Sequence, residues 1–228
     1  MTSETEVNIE EGSMKINLQN EYPDLEIRYT LNDEPVTRDS EIYTEPIEVS
    51  ETTTVKAAVF ENGEMPGEVF EKTFYFHKAV GKPVAYDPIY HDSYQGAKEV
   101  GMVNVLRGTL NFHDGQWQAW LVDDMELVID LEETVPVSKV MIGSMENQGS
   151  GIYFPLEVEV MVSRDGEKYS GVGKIEREFE NNGNPVLKDF SIEFQPQQVR
   201  YIKVMAKNLG HPPTGGDAWL FIDEIVVE

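Results

Sequence analysis

The side chains in this sequence that could catalyse or bind are few and scattered. It has four histidines, His77, His91, His113 and His211, and no cysteine. No two of these histidines stand in an HxH or HExxH spacing, so the pattern does not indicate a zinc site. Without cysteine there are no disulfides, thiolate metal sites or thiol nucleophiles. Two acidic pairs, Asp123-Asp124 and Asp223-Glu224, invite comparison with hydrolases that flank one bond with two carboxylates. Adjacent residues on a strand point to opposite faces, however, so Asp223 and Glu224 cannot converge on one atom. No GxSxG elbow, P-loop or GxGxxG motif is present. Aromatic rings and hydrogen-bonding groups instead concentrate in three segments. GTLNFHDGQWQAW carries His113, Gln116, Trp117 and Trp120; SMENQGSGIYFP carries Asn147, Gln148, Tyr153 and Phe154; NLGHPPTGGDAW carries Asn208, His211, Asp217 and Trp219.

The elements that position these loops read as strands. Leu127, Ile129 and Leu131 recur at period two, as do Leu156, Val158, Val160 and Val162, then Phe190, Ile192 and Phe194, then Ile202 and Val204. Such alternation sends one row of side chains into a core and the other away from it. Gly, Pro and Asn/Asp clusters punctuate the runs, and no stretch sustains a period near 3.6. The expected fold class is all-β.

Charge narrows the partners. Lys and Arg number 18 against 42 Asp and Glu, a formal net charge of −24. Nucleic-acid binding relies on cations neutralising phosphates, and docking to anionic lipid needs the same, so both are disfavoured. No apolar run approaches the ~20 residues that span a bilayer. The opening MTSETEVNIEEGS lacks the basic and apolar regions of a signal peptide, so any export signal is expected outside this sequence.

Two zones differ in texture. Short strand-like runs fill residues ~14–77, about the size of a small immunoglobulin-like sandwich. HKAVGKPVAYDP follows without alternation, and ~150 residues of longer runs and loops suit a jelly roll. The expected domains are residues 1–78 and 79–228, with the boundary near 79.

The first zone resembles the fibronectin-III-like accessory domain found towards the C-terminus of bacterial chitobiases and related β-N-acetylhexosaminidases. The resemblance rests on Ile27, Tyr29, Thr30, Thr37, Ser40, Tyr43, Pro46, Ile47, Val55, Lys56, Ala57 and Phe60. Asn32-Asp33 stands where that family carries Asp-Gly, and Asp33 would be strained wherever Gly accepts positive φ. The second zone resembles the discoidin-like (factor V/VIII C-type, galactose-binding-like) domain. Its residues are LVIDLE at 127–132, VMVSRDGEKY at 160–169, VRYIKV at 199–204 and AWLFIDEIVV at 218–227.

The resemblance implies a non-catalytic module pair of a secreted or periplasmic chitobiase-like glycoside hydrolase of family 20. Its partners would be the parent's catalytic (β/α)8 barrel, which this sequence does not contain, and a neutral glycan, galactose or N-acetylhexosamine. The ligand-binding residues expected are His113, Trp117, Asn147, Tyr153 and His211, rings for the sugar face and imidazole or carboxamide for its hydroxyls. Each ring has an alternative place in a core: Trp117 or Trp120 beneath the sandwich, Trp219 leading into a strand. Arg107, one of few cations, can pair with the many acids. Related sugar modules hold a structural calcium, whose ligands here would be Glu224 with either Asp114 or Asn104. In the alternative readings, the modules brace the barrel without touching sugar, or form a protein-interaction or adhesion surface.

Overall fold

Strands form where side chains alternate between core and surface. The computed structural model describes residues 1–8, 12–22, 25–32 and 34–228. Its only helical turns among the described residues are the 3-10 turns Lys98–Val100 and Gln148–Ser150, so the fold is all-β as expected. Two compact units, Met1–His77 and Lys78–Glu228, divide the chain.

The first unit holds β1 (Thr2–Asn8), β2 (Ser13–Gln19), β3 (Glu26–Leu31), β4 (Glu41–Ile42), β5 (Ile47–Val49), β6 (Thr53–Phe60) and β7 (Phe70–Phe74). One sheet runs β1-β2-β5 and the other β4-β3-β6-β7. Met14, Ile16, Leu18, Val49, Val55, Ala57, Phe60 and Phe74 are buried. Fully burying an aliphatic side chain contributes about 1.5–3 kcal/mol. Asn32 takes φ 61° after β3 and donates its N–H to Thr54 O at 2.6 Å; its neighbour Asp33 lies outside the described residues. β1 escaped the sequence reading because Val7 is its only large apolar residue.

The second unit holds β8 (Val84–Tyr86), β9 (Gln118–Leu121), β10 (Met125–Glu146), β11 (Glu157–Ser163), β12 (Ser170–Glu176), β13 (Val186–Lys207) and β14 (Trp219–Val227). Their order is β12-β11-β13-β10-β14-β9, with β8 on β10. β8 lies in HKAVGKPVAYDP, the segment without alternation that contains the expected boundary near 79. The first half of β10 pairs with the end of β13, the second half with the start of β13 and with β14. The register breaks between Asp130 and Val135. Leu127, Ile129, Val140, Ile142, Ile202 and Val204 nevertheless share one core. Irregular pairing at such a break bends a strand, and the two long strands thereby line both sides of the sandwich. The β11–β12 hairpin turns at Gly166, φ 75°, whose N–H donates to Ser163 Oγ at 3.0 Å.

From Val140 to Glu146 every residue of β10 is buried and the alternation disappears. A second layer of chain covers its outer face. Arg107 from this cover reaches Asp223 on β14 and Asp189 on β13. Gly143 makes the approach possible, because a Cβ there would lie 2.0 Å from Asp223 Oδ1 and 2.3 Å from Arg107 Nη2. Gly108 does the same for Trp117, whose Cε2 would be 2.2 Å from a Cβ.

Candidate functional site

β14 faces two ways. Leu220 and Ile222 enter the main core, whereas Phe221 joins Trp117, Ala119, Met145 and Ile152 in a smaller cluster against which Tyr94, Phe112 and Trp219 pack. The covering segment is held by Gln118, which is fully buried. Gln118 Nε2 donates to Gln95 O at 3.0 Å and Lys98 O at 2.7 Å, and its Oε1 accepts from the Tyr86 hydroxyl at 3.0 Å. Burial pushes the Tyr86 hydroxyl pKa upward, and that bond opposes the rise. His91 N–H donates to Ala119 O at 2.8 Å, bringing the His91–Tyr94 turn onto β9.

Tyr94 is the hub. Its centroid lies 4.6 Å from Phe221, 5.2 Å from Trp219 and 5.8 Å from His113, stacked at 26°. His113 also tilts over Phe112 at 4.3 Å, and His91 meets the edge of Trp219 at 5.0 Å. Tyr94, Phe112 and Trp219 are half-buried; His91 and His113 are exposed. The result is a ring-lined surface edged by two imidazoles; His91 Nδ1 accepts the Ser93 N–H at 3.1 Å, which leaves its Nε2–H as a donor.

Of the five expected binding residues, His113 stands on this surface. Asn147 is on the flanking loop, closed by paired bonds between Asn147 and Ile152 at 2.9 and 3.0 Å; Ile152 bridges to Trp219. His211 is on the neighbouring 209–218 loop, its side chain 73% exposed and its Nδ1 3.2 Å from Asp217 Oδ1. The other two are not surface platforms. Trp117 is 2% exposed, fixed by its Nε1 donating to Thr109 O at 3.2 Å. Tyr153 is 5% exposed, its ring edge-on to Phe179 at 6.0 Å. A ring in van der Waals contact on both faces has none to offer a ligand. The sequence reading missed His91, Tyr94 and Phe112 and gave Trp219 chiefly to the core. An available signal was DPIYHDSYQG, which interleaves rings with polar groups.

Each of the expected calcium ligands already accepts a hydrogen bond. Asn104 and Glu224 adjoin, but Glu224 Oε2 accepts the Asn104 N–H at 3.2 Å and Asn104 Oδ1 accepts the Leu106 N–H at 2.9 Å. Asp114 accepts from Thr109 N, Thr109 Oγ1 and Gln116 N at 2.6, 2.7 and 3.0 Å. A cation needs convergent oxygens rather than oxygens already facing N–H donors. Among the described residues no three His, Asp or Glu side chains are grouped to hold a metal.

Two small β-sandwiches, one with a ring-lined surface edge, have the architecture of binding or accessory modules. The chain belongs to the F5/8 type C domain family, whose model matches residues 93–225. The chitobiase/beta-hexosaminidase C-terminal domain matches residues 9–71, so the chain carries both resembled domains in that order; neither is a catalytic domain. No curated protein matches it. Similar solved structures include the Clostridium perfringens module CpGH89CBM32-4, 17% identical over 67% of this chain and 98% of its own, TM-score 0.43. Chitosan-binding module 1 of a chitosanase/glucanase from Paenibacillus sp. IK-5 is 14% identical over 67% and 98%, TM-score 0.41. The lectin domain of lectinolysin, complexed with Lewis B antigen, is 15% identical over 67% and 95%, TM-score 0.45. No helix among the described residues is long and apolar enough to cross a membrane.

Proposed function

We propose that the second unit binds neutral saccharide, galactose or N-acetylhexosamine, as part of a non-catalytic pair in an exported chitobiase-type glycoside hydrolase, secreted or periplasmic. The observation that carries this is the Tyr94–Phe112–His113–Trp219 surface. Its half-exposed rings offer a face to the C–H side of a pyranose, while His91, His113 and Asn147 offer groups for its hydroxyls. A net charge of −24 repels sialylated or sulfated glycans at low salt and favours neutral ones. A shallow surface buries little of a monosaccharide, so the expected Kd is on the order of 1 mM, about −4 kcal/mol. Tethering would raise the local substrate concentration at a catalytic barrel even at that affinity. Calorimetric titration with galactose, N-acetylglucosamine and chitobiose tests the reading. Saturable heat is expected; none with any neutral sugar at millimolar concentration would reject it.

The burial of Trp117 and Tyr153 favours a second reading, in which the pair braces a catalytic domain and touches no sugar. For the calcium expectation the proposal is a hydrogen-bonded substitute. Glu224 braces the Asn104 loop through its peptide N–H, and chelation tests that.

A further inference from the structure

A separate cavity of about 400 Å³ opens beside the other foot of the 147–153 loop, lined by Glu146, Phe154, Arg177, Glu178, Glu180, Asn181, Asn182 and Lys188. Its volume falls within the ~300–1,000 Å³ of small-ligand clefts. None of its residues belongs to the ring-lined surface.

The polar groups of this cavity are loosely bonded. Glu146 is 2% exposed, yet its carboxylate has only the Phe154 N–H at 3.5 Å and Asn182 Nδ2 at 3.3 Å as partners among the described residues. A buried carboxylate ordinarily takes charge-assisted bonds of about 2.7–2.9 Å. Arg177 lies over the Phe154 ring, 5.6 Å from its centroid, and its guanidinium makes one long bond, to Phe154 O at 3.4 Å. Lys188 rests over Phe190 at 5.1 Å. Glu146 and Arg177 thus line one cavity, opposite in charge, and form no ion pair with each other. The Glu180–Asn182 part of the lining is held firmly: Gln148 Nε2 donates to Glu180 O at 2.7 Å and its Oε1 accepts the Asn182 N–H at 3.0 Å.

An acceptor and donors lining one cavity suit a ligand whose groups do both. A hydroxyl can donate to Glu146 while accepting from Arg177, Lys188 or Asn182, and vicinal hydroxyls repeat that pattern. An anion is opposed by Glu146, Glu178 and Glu180, and a cation by Arg177 and Lys188. We infer that this cavity is a second saccharide subsite, in which Glu146 and Arg177 read adjacent hydroxyls of a neutral sugar. The inference rests on the saccharide-binding reading above but places a contact where that reading has none. Its two loci flank one loop, so a glycan long enough to reach both gains effective concentration at the second.

The test is titration of the whole, 15N-labelled chain with N-acetylglucosamine, galactose and chitobiose, with glycine as a zwitterionic control. The sugars are expected to shift the Phe154, Asn182 and Lys188 amide resonances. Glu146→Gln, which preserves shape, and Arg177→Gln should each weaken that response at least tenfold, and His113→Ala should leave it in place. If Glu146→Gln does not fold, Arg177→Gln alone decides. Shifts confined to Tyr94, His113 and Trp219 and indifferent to both cavity variants would overturn the subsite and leave the saccharide reading standing. Shifts nowhere would overturn both. Shifts with glycine and not with sugars would overturn the ligand class.

Discussion

The half-buried Arg107 and the buried Asp223 form an ion pair in which only one carboxylate oxygen is bonded. Arg107 Nε and the Gly108 N–H each donate to Asp223 Oδ2 at 2.9 Å. Asp223 Oδ1 is buried without a partner among the described residues. Burial raises the Asp223 pKa to about 6, against the pull of Arg107 and the Gly108 N–H, and Glu224 adds to the rise. For Arg107 the balance is reversed: burial would lower its pKa, but Asp223 and Asp189 together outweigh burial and raise it.

The first prediction follows from that sign. A carboxyl whose folded pKa is above its unfolded 3.8 binds more protons folded than unfolded between pH 3.8 and about 6. Its contribution therefore favours folding at low pH and is lost as pH rises through about 6. Asp223→Asn should remove this slope, so the variant gains on wild type from pH 4 to pH 6.5 by about 2–3 kcal/mol at most. Asp130 and Glu176, outside the core and with lowered pKa values, slope the opposite way in both proteins and cancel in the difference. Denaturant melts across that range should show the gap change; a constant gap contradicts the prediction.

Gly143→Ala and Gly108→Ala test the close approaches. Each added methyl would meet atoms at 2.0–2.3 Å that are tied into the fold. A loss of ~3 kcal/mol is expected for each, read as a fall of ~6–12 °C in the melting transition of the second unit.

Glu224→Ala should leave the buried Asn104 N–H unmet and cost about 1–3 kcal/mol. EDTA should leave the wild-type melting temperature unchanged. A chelator-dependent melt that Glu224→Ala abolishes would instead establish the metal.

Trp117 and Tyr94 should separate stability from binding. Trp117→Phe should lower the melting temperature and leave the sugar Kd unchanged, because Trp117 lies beneath the surface. Tyr94→Ala, which unseats both His113 and Trp219, should weaken binding at least tenfold. The reverse pattern would return Trp117 to the binding face.

The main core was legible in the sequence because each of its strands buries one face: Leu127 and Ile129, Val158 and Val160, Ile202 and Val204 all point inward. Legibility failed where a strand is covered on both sides, as at residues 140–146, or buries almost nothing, as in β1. It failed at the site for a related reason. Trp117 and Tyr153 carry the right chemistry, but composition cannot tell which ring of a loop goes under and which stays at the surface. Tyr94 and His113 lie 19 positions apart, and they come together because Gln118 grips Gln95 and Lys98 while Ala119 bonds the backbone of His91 and Tyr94. Glu146 and Arg177 meet at one cavity because β12 pairs with β11, β11 with β13 and β13 with β10, which no local pattern records.

The place of β14 between β10 and β9 bears on how the protein is made. A ribosome delivers the chain from its N-terminus, so this inner strand is the last strand of its unit to emerge. Until Trp219–Val227 arrives, β9 and the second half of β10 present open edges, and the rings around Phe221 have nothing to close upon. Open edges beside uncovered rings are the usual seeds of aggregation. Nascent chains halted before Trp219 should therefore be held by chaperones, and full-length chains released from them in one late step.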